Sequence, residues 1–142
     1  MNKKFASFTL YDFPFSHSLN TRWRDLDAFR HVNNATYLSY IEDARINLIK
    51  DWGLDYNGKS IIVAAVKINY LKQIAHPNKL IIGQGVSRIG NTSFDIFSSV
   101  FCKGDDEPAA QSEITIVCFD FSINKSTPIY KQIVEIYNKV SH

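Results

Sequence analysis

Cysteine is scarce in this chain. Cys102 and Cys118 are the only two among 142 residues, too few for a disulfide scaffold or a cysteine-based zinc site. Long apolar runs are missing as well, and nothing approaches the ~18–20 residues that a membrane span requires. Lys3 and Lys4 are followed by Ser7, Thr9, Asp12 and Pro14, which break the apolar stretch a secretion signal needs. These absences predict a cytoplasmic protein without membrane insertion, in which the sequons at Asn34, Asn91 and Asn124 carry no weight. Charge of one sign is also lacking: sixteen Lys+Arg face fourteen Asp+Glu, and the excess lies in residues 1–30, with five basic and three acidic side chains. Such a balance excludes a strong polyanion footprint and so argues against nucleic acid. It leaves room for a ligand bearing a few phosphates. No repeat, low-complexity tract or interdomain linker interrupts the sequence.

What is present fits one domain over residues 1–142, long enough to bury a core of its own. Pro14, Pro77, Pro108 and Pro128 fall between patterned segments. Five aromatics crowd the first fifteen residues (Phe5, Phe8, Tyr11, Phe13, Phe15), so this segment is expected to pack on the body. Residues 17–25 read as a strand. Tyr37, Ile41, Ala44 and Leu48 recur at helical spacing and predict a largely enclosed helix over 34–52. Asn33 or Asn34 is suited to cap its start, and Gly53 to end it. The segments 61–71, 79–88, 93–103 and 110–122 are β-rich and separated by turn residues such as Gly90-Asn91. A short helix near 128–139, capped by Ser126 or Thr127, closes the chain. The simplest packing of this order is an α+β fold with one mainly antiparallel, five-stranded sheet wrapped around the long helix.

Ionisable groups concentrate where the first strand meets that helix. On an extended strand, Asp25 and Asp27 would share one face and Arg22 and Arg24 the other. Two neighbouring carboxylates raise the proton affinity of one of them, as a base or nucleophile needs. The free N–H groups at the helix start are suited to a developing oxyanion. Read from residue types alone, either aspartate can equally well bind loop backbone. His31 has no second ligand at metal spacing, and Glu42 is a possible further carboxylate on the helix. There is no Gly-x-Ser-x-Gly elbow, and Gly83-Gln84-Gly85 lacks the rest of a dinucleotide fingerprint; it reads as a strand irregularity.

The run Arg24-Asp25-Leu26-Asp27-Ala28-Phe29-Arg30-His31-Val32-Asn33-Asn34-Ala35-Thr36-Tyr37-Leu38, followed by Glu42-Asp43-Ala44-Arg45, resembles the signature of hotdog-fold acyl-CoA thioesterases of the 4-hydroxybenzoyl-CoA thioesterase type. Ser87-Arg88-Ile89-Gly90-Asn91-Thr92-Ser93-Phe94 is similar to that family's turn between sheet strands. The resemblance spans about residues 17–122 and implies a hotdog fold. It further implies hydrolysis of an acyl-CoA or acyl-carrier-protein thioester without a cofactor, in a homodimer or homotetramer with sites at subunit interfaces. By the same resemblance Asp27 is the catalytic nucleophile or general base, with His31 and Asn34 in catalytic or orienting roles. The backbone N–H groups of Asn34 and Ala35 would polarise the thioester carbonyl. Substrate contacts are expected from Tyr37, from Arg88, and from Thr92 and Ser93 reaching over from the partner; Lys67 and Lys72 are further candidates for the CoA charges. Phe29-Arg30 departs from the small, often glycine-containing pair of many relatives. A non-catalytic acyl-CoA-binding hotdog protein is the alternative reading. A hotdog dehydratase or hydratase ranks last, since no Asp-x-Asn-Pro-x-His arrangement is present.

Overall fold

A computed structural model describes residues 9–52 and 58–140. The helical stripe becomes α1 (Asn34–Asp51), which buries Tyr37, Tyr40, Ile41, Ala44 and Leu48. The Asn33 side chain accepts a hydrogen bond from the Ala35 N–H and caps the helix as expected. Gly53, assigned to its end, lies outside the described residues.

Five strands form one antiparallel sheet: β1 (Phe15–Asn20), β2 (Lys59–Tyr70), β3 (Lys79–Ile89), β4 (Ser93–Cys102) and β5 (Ala110–Asp120). A two-residue β6 (Lys125–Ser126) pairs with β5. The spatial order is β1-β3-β4-β5-β2, so the hairpins β3–β4–β5 are neighbours in space while β2 crosses to the far edge. Side chains alternate across this sheet, and one face carries Leu80, Ile82, Ile96, Val100, Ile114 and Ile116 onto α1. The second helix, α2 (Lys131–Val140), adds Ile133 and Ile136 to the same core. The result is the hotdog arrangement: a sheet curled around one long helix.

Three expectations need correction. The first strand stops at Asn20 rather than running to residue 25. There the Thr21 N–H donates to the Asn78 carbonyl (2.9 Å), and its hydroxyl accepts from the Asn78 N–H (2.9 Å). A 3₁₀ turn over Trp23–Asp25 follows. Ser126 and Thr127 do not cap α2: the Thr127 N–H donates to the Cys118 carbonyl and extends the sheet, and the helix begins only at Lys131. Gly83 and Gly85 mark no irregularity, since the register shift in β3 lies between Val86 and Arg88. They clear space for the N-terminal segment instead. A Cβ on Gly83 would lie 2.6 Å from the Phe13 ring, and one on Gly85 would lie 3.1 Å from Pro14. Phe13 in turn stacks on Phe97 at 5.6 Å between centroids and meets Phe101 edge-on, which bears out the packing expected of this aromatic stretch at Phe13, whereas Tyr11 is 95% exposed.

β2 is an edge strand with Ile62, Val63 and Val66 exposed at 39–47%. Cys102 and Cys118 are both buried free thiols. No helix among the described residues is long and apolar enough to cross a membrane.

Candidate active site

The 3₁₀ turn decides what the two aspartates do. Because the chain folds back on itself, Asp25 turns toward Arg22 instead of sharing a strand face with Asp27. Its carboxylate, with the residue only 4% exposed, accepts from the Arg22 N–H (2.9 Å), the Arg22 guanidinium (3.1 Å) and the Tyr40 hydroxyl (2.6 Å) on α1. Burial alone would raise its pKa; the hydrogen bonds from Tyr40 and Arg22 outweigh it and hold Asp25 below the usual carboxylate range. Burial and the adjacent carboxylate push Tyr40 well up. The expected pair of coupled carboxylates therefore does not form, and Arg22 is a partner of Asp25 after all.

Asp27 stands in a different environment. It is half-buried, and its Oδ1 accepts two backbone N–H groups, from Phe29 (2.8 Å) and His31 (3.2 Å). The Asp27 N–H donates to the His31 carbonyl (2.8 Å), and the Arg30 N–H donates to the Asp27 carbonyl (3.1 Å). The loop is thus closed on the aspartate, while Oδ2 has no partner among the described residues. Its base is tied down by the Leu26–Val32 and His31–Ala75 bridges and by the Val32 N–H on the Ile74 carbonyl (2.9 Å). The Asn33 N–H reaches the Asp25 carbonyl (2.9 Å), so Asp25 joins the loop to the helix start.

At that start the Ala35 N–H is taken by its cap, whereas the Asn34 N–H has no acceptor among the described residues. The Asn34 carbonyl accepts from the Tyr70 hydroxyl (2.8 Å) at the end of β2. Tyr37 is buried, its ring 5.1 Å from that of Tyr70 and its hydroxyl donating to the Lys72 carbonyl. Asp27, His31, Asn34, Ala35 and Tyr37 thus gather at one end of the sheet.

Arg88, Thr92 and Ser93 lie at the other. The hairpin between β3 and β4 turns there, with the Gly90 N–H on the Ser93 carbonyl (2.7 Å). The length of β4, Ser93–Cys102, separates the two ends by roughly 30 Å. Arg88 is already engaged: it grips Asp95 through Nε (2.7 Å) and Nη2 (3.1 Å), and Nη2 also donates to Ser93 Oγ (3.0 Å). Thr115 Oγ1 adds a third donor to Asp95 (2.8 Å). Burial would raise Asp95, but Arg88 and Thr115 hold it low. Lys72 pairs with Asp105 (2.9 Å) and Glu42 with Arg45 (3.5 Å). No group of His, Cys, Asp and Glu among the described residues is arranged to hold a metal.

Sequence reasoning missed the Arg22–Asp25–Tyr40 and Arg88–Asp95–Thr115 networks. The first had a signal in the three-residue Arg–Asp spacing, which suits a turn. The second needed the register around Gly90-Asn91, where Arg88 sits directly opposite Asp95.

A sheet curled on one long helix, with a carboxylate loop entering the N-terminus of that helix, defines a hotdog thioesterase-type protein. The profile of the thioesterase-like superfamily matches residues 21–136, and the chain belongs to that family. The long-chain acyl-CoA thioesterase FadM of Escherichia coli K12 is 25% identical over 122 residues, covering 82% of this chain and 92% of FadM. The fold is shared with the PA5185 protein of Pseudomonas aeruginosa (TM-score 0.84, 24% identity, 93% of this chain and 94% of that one). It is shared also with a thioesterase of Thermus thermophilus, whose structure was solved with coenzyme A and Zn (TM-score 0.80, 27% identity, 91% and 95%).

Proposed function

We propose that the protein hydrolyses acyl-CoA or acyl-carrier-protein thioesters with Asp27 as its reactive carboxylate. One observation carries the reading: two backbone N–H groups fix Asp27 Oδ1, while Oδ2 and the Asn34 N–H at the helix start that this loop enters have no partner among the described residues. In the general-base form, Oδ2 removes a proton from water, and the oxygen attacks the thioester carbonyl. The tetrahedral oxyanion is held by the Asn34 N–H at the positive end of α1. Collapse breaks the C–S bond, and the thiolate takes the proton from Asp27, giving a free acid and a thiol. In the nucleophilic form Oδ2 itself attacks, and water then cleaves the acyl-enzyme anhydride. Ala35 contributes its N–H only where the Asn33 side chain releases it. His31 acts through its backbone, which grips Asp27 at both ends of the loop.

The working unit is a homo-oligomer. The apolar outer edge of β2, which pairs with no strand but β5 among the described residues, is suited to a second copy, and a partner's Thr92 and Ser93 then complete a site that they cannot reach within one chain. In this assembly Arg88 fixes the turn that presents Ser93, and the buried Tyr37 supports the helix start from behind through Tyr70 and the Lys72 carbonyl. Two reduced, buried thiols fit a cytoplasmic setting. A thiol-release assay over short, long and aromatic acyl-CoAs tests the activity, with Asp27→Asn as control. Turnover lost in the variant supports the mechanism. Binding without release by the parent protein favours the non-catalytic alternative, and undiminished turnover in Asp27→Asn overturns the assignment.

A further inference from the structure

Four described residues hold a positive φ: Gly58 (80°), Gly104 (91°), Asn124 (56°) and Arg30 (66°). Glycine and asparagine tolerate this region, whereas the Cβ of a long side chain is crowded there. The backbone requires the conformation, because the Arg30 N–H must reach the Asp27 carbonyl (3.1 Å) while the next N–H returns to Asp27 Oδ1 (3.2 Å). Nothing in that geometry requires an arginine, and glycine would satisfy it with less strain. The side chain therefore has a use outside the loop's own folding.

The ion pairs point the same way. Of the five arginines, Arg22, Arg45 and Arg88 each pair with a carboxylate. Arg24 and Arg30 have no such partner among the described residues; both are exposed, and both flank the Asp27 loop. A free guanidinium is a planar fork matched to phosphate oxygens, and it is charged at every relevant pH. We propose that Arg30 receives a phosphate of the coenzyme A portion of the substrate, holding the thioester arm over Asp27. This rests on the thioesterase reading above and names the group that anchors its substrate.

The test compares octanoyl-CoA with octanoyl-pantetheine, which lacks phosphate, in the parent protein and in Arg30→Asn, Arg30→Gly and Arg30→Lys. Asparagine keeps a left-handed preference without the charge, so it separates charge from loop freedom. The preference for the CoA ester, as a ratio of kcat/KM values, is expected to fall about tenfold in Arg30→Asn and Arg30→Gly, through KM. Lysine retains part of it, added salt erodes it in the parent protein, and Arg30→Gly raises Tm by relieving strain. An unchanged ratio in both neutral variants overturns the assignment and leaves the hydrolase reading standing. Where the parent protein hydrolyses neither octanoyl ester nor any short, long or aromatic acyl-CoA, the hydrolase reading falls, and calorimetric titration with coenzyme A decides separately. Affinity that depends on Arg30 upholds the phosphate contact; equal affinity in Arg30→Asn, or no binding to the parent, ends it.

Discussion

The two ends of the sheet carry nearly the same device. At the helix-start end Arg22 grips Asp25, and Tyr40 adds a hydroxyl donor; at the hairpin end Arg88 grips Asp95, and Thr115 adds one. Both carboxylates are 4% exposed, and both are held below the ordinary range by these donors. What differs is the neighbourhood. Beside Asp25 lie a carboxylate oxygen and a helix N–H without partners among the described residues, and beside Asp95 the nearby polar groups bond to each other. The comparison separates saturated Arg–Asp pairs, which act as framework, from the groups the framework leaves open, to which the proposed mechanism assigns the reactivity.

The largest expected effect tests that division directly. Asp27→Asn should lower kcat/KM about a thousandfold, the range of a general base, while urea denaturation shows an almost unchanged midpoint because only the backbone grip on Oδ1 depends on the side chain. A shift in stability comparable with that of the paired aspartates would break the distinction. Next come Asp25→Asn and Asp95→Asn, each removing the charge from a buried carboxylate whose arginine partner is half exposed and costing about 2 kcal/mol by urea denaturation. The two should part in assays on folded protein: Asp25→Asn lowers kcat, since Asp25 ties the loop to α1, and Asp95→Asn does so far less. Equal losses would merge the two ends into one role.

The same pairs set the acid limit. Their folded-state pKa values lie below the unfolded value of ~3.9, so their contribution is present above that pH and is lost as pH falls through the lowered values. Unfolding monitored from pH 6 downward should therefore show stability declining only below about pH 4, and the decline should be shallower in either Asn variant. Tyr40→Phe, which removes one donor from Asp25, should cost about 1.5 kcal/mol at neutral pH and make the acid decline shallower, because it moves the folded pKa of Asp25 back toward the unfolded value. Smallest is Ser93→Ala at the exposed edge of the other network, near ~0.5 kcal/mol by the same denaturation assay.

The sequence by itself determined a helix over 34–52, a cap at Asn33 or Asn34 and the hairpin strands, because each rests on periodicity or turn chemistry within a few residues; the structure ends the helix at Asp51 and places the cap on Asn33. The family signature pointed to Asp27 in the same way. Only the tertiary structure decided which aspartate is free. The first strand ends where Thr21 meets Asn78, 57 residues further along the chain, and that contact turns Asp25 inward onto Arg22 and Tyr40. Gly83 and Gly85 likewise took their meaning from Phe13 and Pro14, which reach them only after the sheet is assembled. The separation of Ser93 from Asp27 by the length of β4 belongs to the same class, since a linear motif does not say which end of a strand a residue will occupy. Local pattern sets the elements, and long-range contacts choose which polar groups they leave unsatisfied.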